Sequence, residues 1–191
     1  MSNSVNSNRF STREIAFCAI LAALSVILAR FLGIMISESV RYSFEAVPII
    51  LSGLLFGPLA GGLVGFAADT VGTLFSGYGF NPVFCVRPIL YGVIAGVLRG
   101  VLKKNISIPR VFLTIMPADI LGSILWQSFA LAFTYSKDGA FREYLLLKLT
   151  ERTIQFSIMM VLHTLLVWAL LRSKIFQRMK LWPPKDKRKE E

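Results

Sequence analysis

Several ionisable residues lie within or beside strongly apolar stretches of this sequence: Glu45, Asp69, Arg87, Asp119, Glu151 and Arg152. A charged side chain in such a stretch is costly unless it faces a protein interior, where it pairs or meets a ligand. Arg87 belongs to the segment SGYGFNPVFCVRPILYG and lies among Tyr78, Phe80 and Phe84. A guanidinium can hold a carboxylate through two parallel hydrogen bonds, while aromatic side chains stack on a flat ligand.

Sequence motifs of common enzymes are absent. There is no G-x-x-x-x-G-K-[ST] phosphate loop, no H-E-x-x-H and no G-x-S-x-G, and the single histidine, His163, has no metal-binding motif around it. Cys18 and Cys85 lie in separate predicted helices, where each is expected to be a small buried residue. We therefore expect no catalytic residue, no cofactor and no metal site.

The composition is that of an integral membrane protein. Of 191 residues, 54% are hydrophobic and 17% are charged, whereas a soluble domain has about 25% charged residues. The net charge of +10 is not gathered on a soluble domain, so nucleic acid is not an expected partner. Instead, eight Lys and Arg follow residue 171, which predicts a cytoplasmic end attracted to anionic lipid.

The apolar segments predict six transmembrane helices, with both termini cytoplasmic. The expected spans are 11–33, 44–57, 59–76, 83–101, 111–134 and 148–172. Ser11 and Glu14 fit a capping box at the start of the first helix. A single helix over 46–76 would be about 46 Å long, so a break is expected at Gly57-Pro58, where proline ends the helical hydrogen bonding.

Charge counting does not separate six spans from five. Either topology puts 14 of the 21 Lys and Arg on the inner side. Helix length favours six, with outer loops at 34–43, 77–82 and 135–147 and inner connections at Gly57-Pro58 and 103–110. The expected organisation is a disordered cytoplasmic lead over 1–10, one membrane domain over 11–175 and a basic cytoplasmic tail over 176–191.

In this topology, polar side chains of several helices lie in the outer half of the membrane. Such a group predicts a pocket open to the outside, lined by aromatic rings and a few polar groups. Asp69 could instead pair with Arg87 to hold helices together, and Asp119, which lies deeper, is expected to be structural. The predicted ligand-binding residues are Arg41, Glu45, Asp69, Phe80, Asn81, Phe84, Arg87, Trp126, Gln127, Arg152 and Gln155.

The first helix carries a pattern of small residues, in which Ala19 and Ala23 form an A-x-x-x-A pair. Small residues four positions apart allow another helix to approach closely in lipid. The pattern predicts either a partner-binding surface or packing within the chain itself.

The segment SFEAVPIILSGLLFGPLAGGLVGFAADTVGTLFSGYGFNP carries a pattern of turn and helix-packing residues: Pro48, Gly53, Gly57-Pro58, Gly61, Gly65, Asp69 and Gly72. The sequence resembles the substrate-binding (S) components of energy-coupling factor (ECF) transporters, and most of all the folate-specific members.

That resemblance implies a vitamin-binding subunit of the plasma membrane that has no pump activity of its own. Transport would need a transmembrane coupling subunit, which Ala19 and Ala23 would contact, and two ATPase subunits. Arg87 would meet a polar or anionic part of folate, with Phe80, Phe84 and Trp126 flanking its rings. Asn81 and Asp69 would supply polar recognition.

Two alternatives stay open at this point. The same fold could bind riboflavin, thiamine or a pyrimidine precursor, because all of these ligands are aromatic. A small membrane enzyme or a structural subunit without a soluble ligand is the other alternative, although no catalytic motif supports it.

Overall fold

The chain folds into a bundle of helices around one apolar core. The computed structural model describes residues 10–35, 41–75, 79–103, 105–136 and 140–173, with residues 176, 178, 179 and 181, and of Ile34, Met35 and Arg41 it describes the backbone alone. The helices are α1 (Thr12–Phe31), α2 (Ala46–Phe56), α3 (Pro58–Leu74), α4 (Pro82–Leu98), α5 (Ile108–Ala118), α6 (Gln127–Tyr135) and α7 (Phe141–Arg172).

The predicted capping box and the predicted break at Gly57-Pro58 are both present, and a further cap lies at the start of α4. At α1 the Ser11 side chain and the Glu14 side chain form the expected capping box. Between α2 and α3 the chain turns at Gly57, whose φ of 102° favours glycine, and Pro58 opens the next helix. Asn81 caps α4 by accepting a hydrogen bond of 3.0 Å from the Val83 amide.

The fifth predicted span is one continuous helical rod made of three parts. A π-helical segment, Asp119–Trp126, joins α5 to α6 without a turn between them. Counted in this way, the described residues form the six helical spans that the sequence predicts. A 3-10 turn, Arg99–Leu102, extends α4 in the same manner.

The structure corrects one predicted boundary and the expectation of a purely helical chain. The predicted outer loop 135–147 is shorter, because α7 begins at Phe141. Within the predicted loop 34–43, β1 (Ile34–Met35) pairs antiparallel with β2 (Arg41–Tyr42), so a short backbone ladder bridges the two ends of this connection. Residues 1–9 of the predicted lead over 1–10, and most of the predicted tail, lie outside the described residues.

The outward faces of the helices are apolar. Four helical stretches are long and apolar enough to cross a membrane: Thr12–Phe31, Pro82–Leu102, Ile108–Tyr135 and Phe141–Arg172. Large hydrophobic side chains such as Ile20, Phe66 and Ile154 are 47% to 63% exposed on these faces and on α3. A helix bundle with such a surface is suited to lipid rather than to water.

The core is built around α2, which is buried on every side over residues 46–55. α3 and α4 flank it and make the most extensive contact in the bundle. They approach at glycines: a Cβ on Gly92 would overlap the backbone of Gly61, and one on Gly65 would overlap the carbonyl of Pro88. Small residues of this kind allow helix backbones to touch in a membrane, where lipid offers no hydrophobic drive for association.

We expect Gly92→Ala to destabilise the protein, because the new methyl group would meet the Gly61 backbone, which cannot move aside as a side chain could. Overpacking of this type costs about 1–3 kcal/mol, so the thermal midpoint in detergent should fall by several degrees. Gly100→Ala is the matched control, since a Cβ at Gly100 meets nothing within 4 Å. Equal midpoints for the two variants would contradict the proposed close contact.

Candidate functional site

A cavity of about 150 Å³ lies between α1, α2, α3, α4 and α6. Apolar walls come from residues such as Ile49, Ala68 and Phe84. Its polar lining residues come from all five helices or their ends: Ser25, Arg30, Glu45, Asp69, Arg87 and Gln127. We refer to it as the central cavity.

Arg87 lies in the second turn of α4 and forms an ion pair with Glu45 across the central cavity. Glu45 occupies the N-cap position of α2, but its side chain makes no capping hydrogen bond to that helix. The two side chains are 19% and 24% exposed, so the pair is largely shielded from water. Charge pairs interact more strongly in such surroundings than at an open surface.

A second guanidinium, that of Arg30, lies in the last turn of α1 and donates to the carbonyl oxygen of Gly72 near the end of α3. A positive group near a helix C-terminus is favourable, because the free carbonyls there carry partial negative charge. Ser25, on the same helix, donates to the Glu45 carbonyl at 2.8 Å. These bonds fix α1 against α2 and α3 at the wall of the cavity.

Three lining residues present a buried polar atom that has no hydrogen-bond partner among the described residues. They are the Asp69 Oδ2, the Gln127 Oε1 and the Arg30 Nε atoms. A buried polar atom left in this way costs about 1–3 kcal/mol. Among the residues that line the central cavity, two acceptors and one donor are therefore left without a protein partner in the described part of the chain.

A second polar cluster lies where α4 and α7 meet the π-helical segment. The Tyr91 hydroxyl donates to Asp119 and lies 2.6 Å from the Ser123 oxygen. The His163 ring meets Tyr91 edge to face, and its Nδ1 lies 3.7 Å from the Asp119 Oδ1. These four side chains are at most 2% exposed, so the cluster ties three elements together inside the core.

The predicted ligand-binding residues divide into several groups. The structure brings Glu45, Asp69, Phe84, Arg87 and Gln127 together in the central cavity. Arg87 pairs with Glu45, so the pairing considered from the sequence, between Asp69 and Arg87, is not the one formed.

Asn81 and Trp126 hold the start of α4 instead of lining the cavity. The Asn81 Oδ1 is engaged as the N-cap, and the Trp126 Nε1 donates to the Val83 carbonyl at 2.8 Å. Both residues therefore fix the helix end that carries Phe84 and Arg87.

Arg152 and Gln155 are buried on α7, with exposed fractions of 7% and 3%, but neither lines the central cavity. The Arg152 guanidinium lies over the Phe156 ring, 5.8 Å from its centroid. Phe80 is exposed. Arg41 lies in β2, and its side chain, like Tyr78, falls outside the described part of the chain.

The predicted ligand-binding residues include neither Ser25 nor Arg30, although the predicted topology places Arg30 among the basic residues around the outer pocket. Ser25 gives no sequence signal, since serine is common in helix contacts. Arg30 carried a usable signal, because a basic residue at the outer end of the first span lies at the same depth as Arg87 in the predicted topology.

A separate apolar groove of about 250 Å³ runs between α1 and α3. It is lined mostly by small and aliphatic residues: Phe10, Ile15, Cys18, Ala19, Ala22, Ala60, Leu63, Val64 and Ala67. Ala19 and Ala23 are both exposed on α1. The groove therefore presents an alanine surface on which another helix could pack closely.

Known proteins resemble this chain over most of its length. The family model described as "ECF-type riboflavin transporter, S component" matches residues 9–172. The folate transporter FolT of Clostridium novyi (strain NT) is 28% identical over 143 residues, which are 74% of this chain and 80% of that protein. A solved structure of FolT bound with folic acid has a TM-score of 0.67 and 28% identity, and the match covers 84% of this chain and 93% of that one.

A further relative is longer than this chain. The MG313 homolog of Mycoplasma pneumoniae is 28% identical over 130 residues, which are 67% of this chain but 45% of that protein. The match therefore covers less than half of the length of that relative.

We expect Tyr91→Phe to destabilise the protein, because it removes the hydroxyl that donates to the buried Asp119 carboxylate. Leaving a buried acceptor unsatisfied costs about 1–3 kcal/mol, which should lower the thermal midpoint in detergent by several degrees. Tyr135→Phe makes the same chemical change at a residue that is 58% exposed and should leave the midpoint almost unchanged. If Tyr91→Phe were as stable as that control, the buried bond would contribute nothing to the fold.

Proposed function

We propose, from the premise that the chain belongs to the family of ECF-type riboflavin transporter S components, that it binds folate in its central cavity. The observation that carries this proposal is the polar lining of the cavity. Two guanidinium groups, two carboxylates and an amide converge there, and three of these residues present a buried polar atom without a partner in the described chain. The FolT structure with folic acid bound shares this fold and supports the choice of ligand.

Folate carries groups of the kinds that the central cavity can bind. Its pterin ring and its amide supply N–H donors. The Asp69 Oδ2 and the Gln127 Oε1 can accept hydrogen bonds from such donors. Its glutamate supplies carboxylates, for which Arg87 and Arg30 are the matching donors. Phe84 lines the cavity and stacks on Tyr135 with ring centroids 6.3 Å apart, so a flat ring can extend this stack.

Other predicted residues would act around this core of the site. Asn81 and Trp126 would position α4, while Phe80 and Arg41, near the predicted outer surface, would contact the exposed part of the ligand. Arg152 and Gln155, which are buried on α7, would influence the electrostatic potential in the protein interior near the site. No described residue is assigned a catalytic role, since binding and release require no covalent chemistry.

In the membrane, all six helical spans would cross the bilayer, with both termini in the cytoplasm and the central cavity in the outer half. The cavity lies near the end of α1, the end of α3 and the start of α4, which this topology places on the outer side. The domain would extend over 11–175 in the cell membrane, and the basic tail over 176–191 would lie against anionic lipid.

Energy for uptake would come from separate subunits. A transmembrane coupling subunit would pack against Ala19 and Ala23 beside the apolar groove, and two ATPase subunits would bind and hydrolyse ATP. The exposed alanines and the adjoining groove support this contact, because small residues allow the close helix packing that drives association in lipid.

Riboflavin is the second candidate ligand, and the description of the matching family favours it. Riboflavin also has a flat ring with donors and acceptors, but it has no carboxylate. The two guanidinium groups of the central cavity therefore fit folate better.

We expect isothermal titration of the detergent-purified protein to show one-to-one binding of folate and no binding of riboflavin or thiamine. If only riboflavin released or absorbed heat on titration, the family assignment would stand and riboflavin would replace folate as the ligand. No heat from any of the three vitamins would count against the proposed function.

We expect Arg87→Ala to weaken folate binding by about 10- to 100-fold, since a charge-assisted hydrogen bond contributes about 1.5–3 kcal/mol. Arg142→Ala, which removes the same charge from an exposed residue at the start of α7, is the control and should bind as the unchanged protein does. Unchanged folate affinity in Arg87→Ala would remove Arg87 from the site.

For the partner surface, we expect the double variant Ala19→Leu, Ala23→Leu to lose copurification with the coupling subunit and the ATPases while still binding folate. The larger side chains would hold a neighbouring helix away from α1. Ala169→Leu, at an exposed alanine of α7, is the matched control and should still assemble. If the double variant assembled fully, Ala19 and Ala23 would not belong to the partner-binding surface.

A further inference from the structure

Glu45 holds the position at Arg87 that an anionic ligand group would take. Glu45 occupies the N-cap position of α2, but its side chain makes no capping hydrogen bond to that helix. Its carboxylate instead pairs with the Arg87 guanidinium, and both residues line the central cavity.

The Glu45 carboxylate is attached to a backbone that is itself held in place. The Ser25 hydroxyl donates to the Glu45 carbonyl at 2.8 Å, and the following residue, Ala46, begins the buried helix α2. A group tethered beside its partner acts at an effective concentration on the order of millimolar or higher. Any free anion must compete with this tethered carboxylate for Arg87.

A ligand that fills more of the cavity has a compensation that a small anion lacks. Asp69 and Gln127 line the same cavity, and their Oδ2 and Oε1 atoms are buried acceptors with no partner among the described residues. A molecule that brings both an anionic group and N–H donors gains these bonds while it displaces Glu45. A simple carboxylate only replaces Glu45 as the partner of Arg87. The free-energy change of this exchange is close to zero.

We infer that Glu45 is a specificity-determining residue, an intramolecular competitor that keeps small anions off Arg87 and admits only ligands that also bind elsewhere in the central cavity. The inference rests on the proposed function for the identity of the full ligand, folate. Its claim about small anions stands on the geometry of the ion pair alone.

Titration of Glu45→Gln tests the inference. Glutamine keeps the size of the side chain but removes the charge that competes with the ligand. We expect folate to bind about tenfold more tightly than to the unchanged protein, and glutarate, a small dicarboxylate without N–H donors, to change from no measurable binding to measurable binding.

Glu143→Gln is the matched control, because it removes the same charge from an exposed residue in the first turn of α7. It should leave both affinities unchanged. In the Glu45→Gln background, Arg87→Ala should cost more folate affinity than it does alone, because Arg87 is then free of its competitor.

The outcomes separate this inference from the proposed function. Weaker folate binding by Glu45→Gln would make Glu45 a direct ligand contact and overturn the inference while leaving the function intact. If the unchanged protein bound no folate but Glu45→Gln gained glutarate binding, the function would fail and the competition would stand. No gain with either compound would overturn the competition.

Discussion

The close contact of α3 with α4 is the constraint on which the central cavity depends. Gly65 lies directly against the Pro88 carbonyl, at a separation that leaves no room for a Cβ. Asp69 follows Gly65 by one helical turn, and Arg87 directly precedes Pro88. The glycine contact therefore determines that a carboxylate and a guanidinium reach the same cavity from two helices.

Charge balance explains how so apolar a bundle holds these groups. The central cavity contains the guanidinium groups of Arg30 and Arg87 and the carboxylates of Glu45 and Asp69, two charges of each sign. An unpaired charge in such surroundings would be far more costly than a pair. Because the surrounding medium is of low polarity, changes of partner among these four groups have larger energies than they would at a wet surface.

The sequence predicted the number and order of helical spans, because long apolar runs, a capping box and Gly57-Pro58 are local signals. It also predicted that Glu45, Asp69, Phe84, Arg87 and Gln127 lie near one another, since the topology alone brings them to one depth. It could not predict that Arg87 pairs with Glu45 instead of Asp69. That choice depends on the rotation of α2 and α4 about their axes, which is set by contacts between distant glycines.

The central cavity and the apolar groove share two helices. On α1, Ala19 lines the groove and Arg30 lines the cavity, about 16 Å apart along the helix axis. On α3, Ala67 lines the groove and the next residue, Ala68, lines the cavity. A rotation of α3 that widened one surface would therefore alter the other, whereas α7 lines neither. The packing of α1 against α3 therefore links the central cavity to the apolar groove.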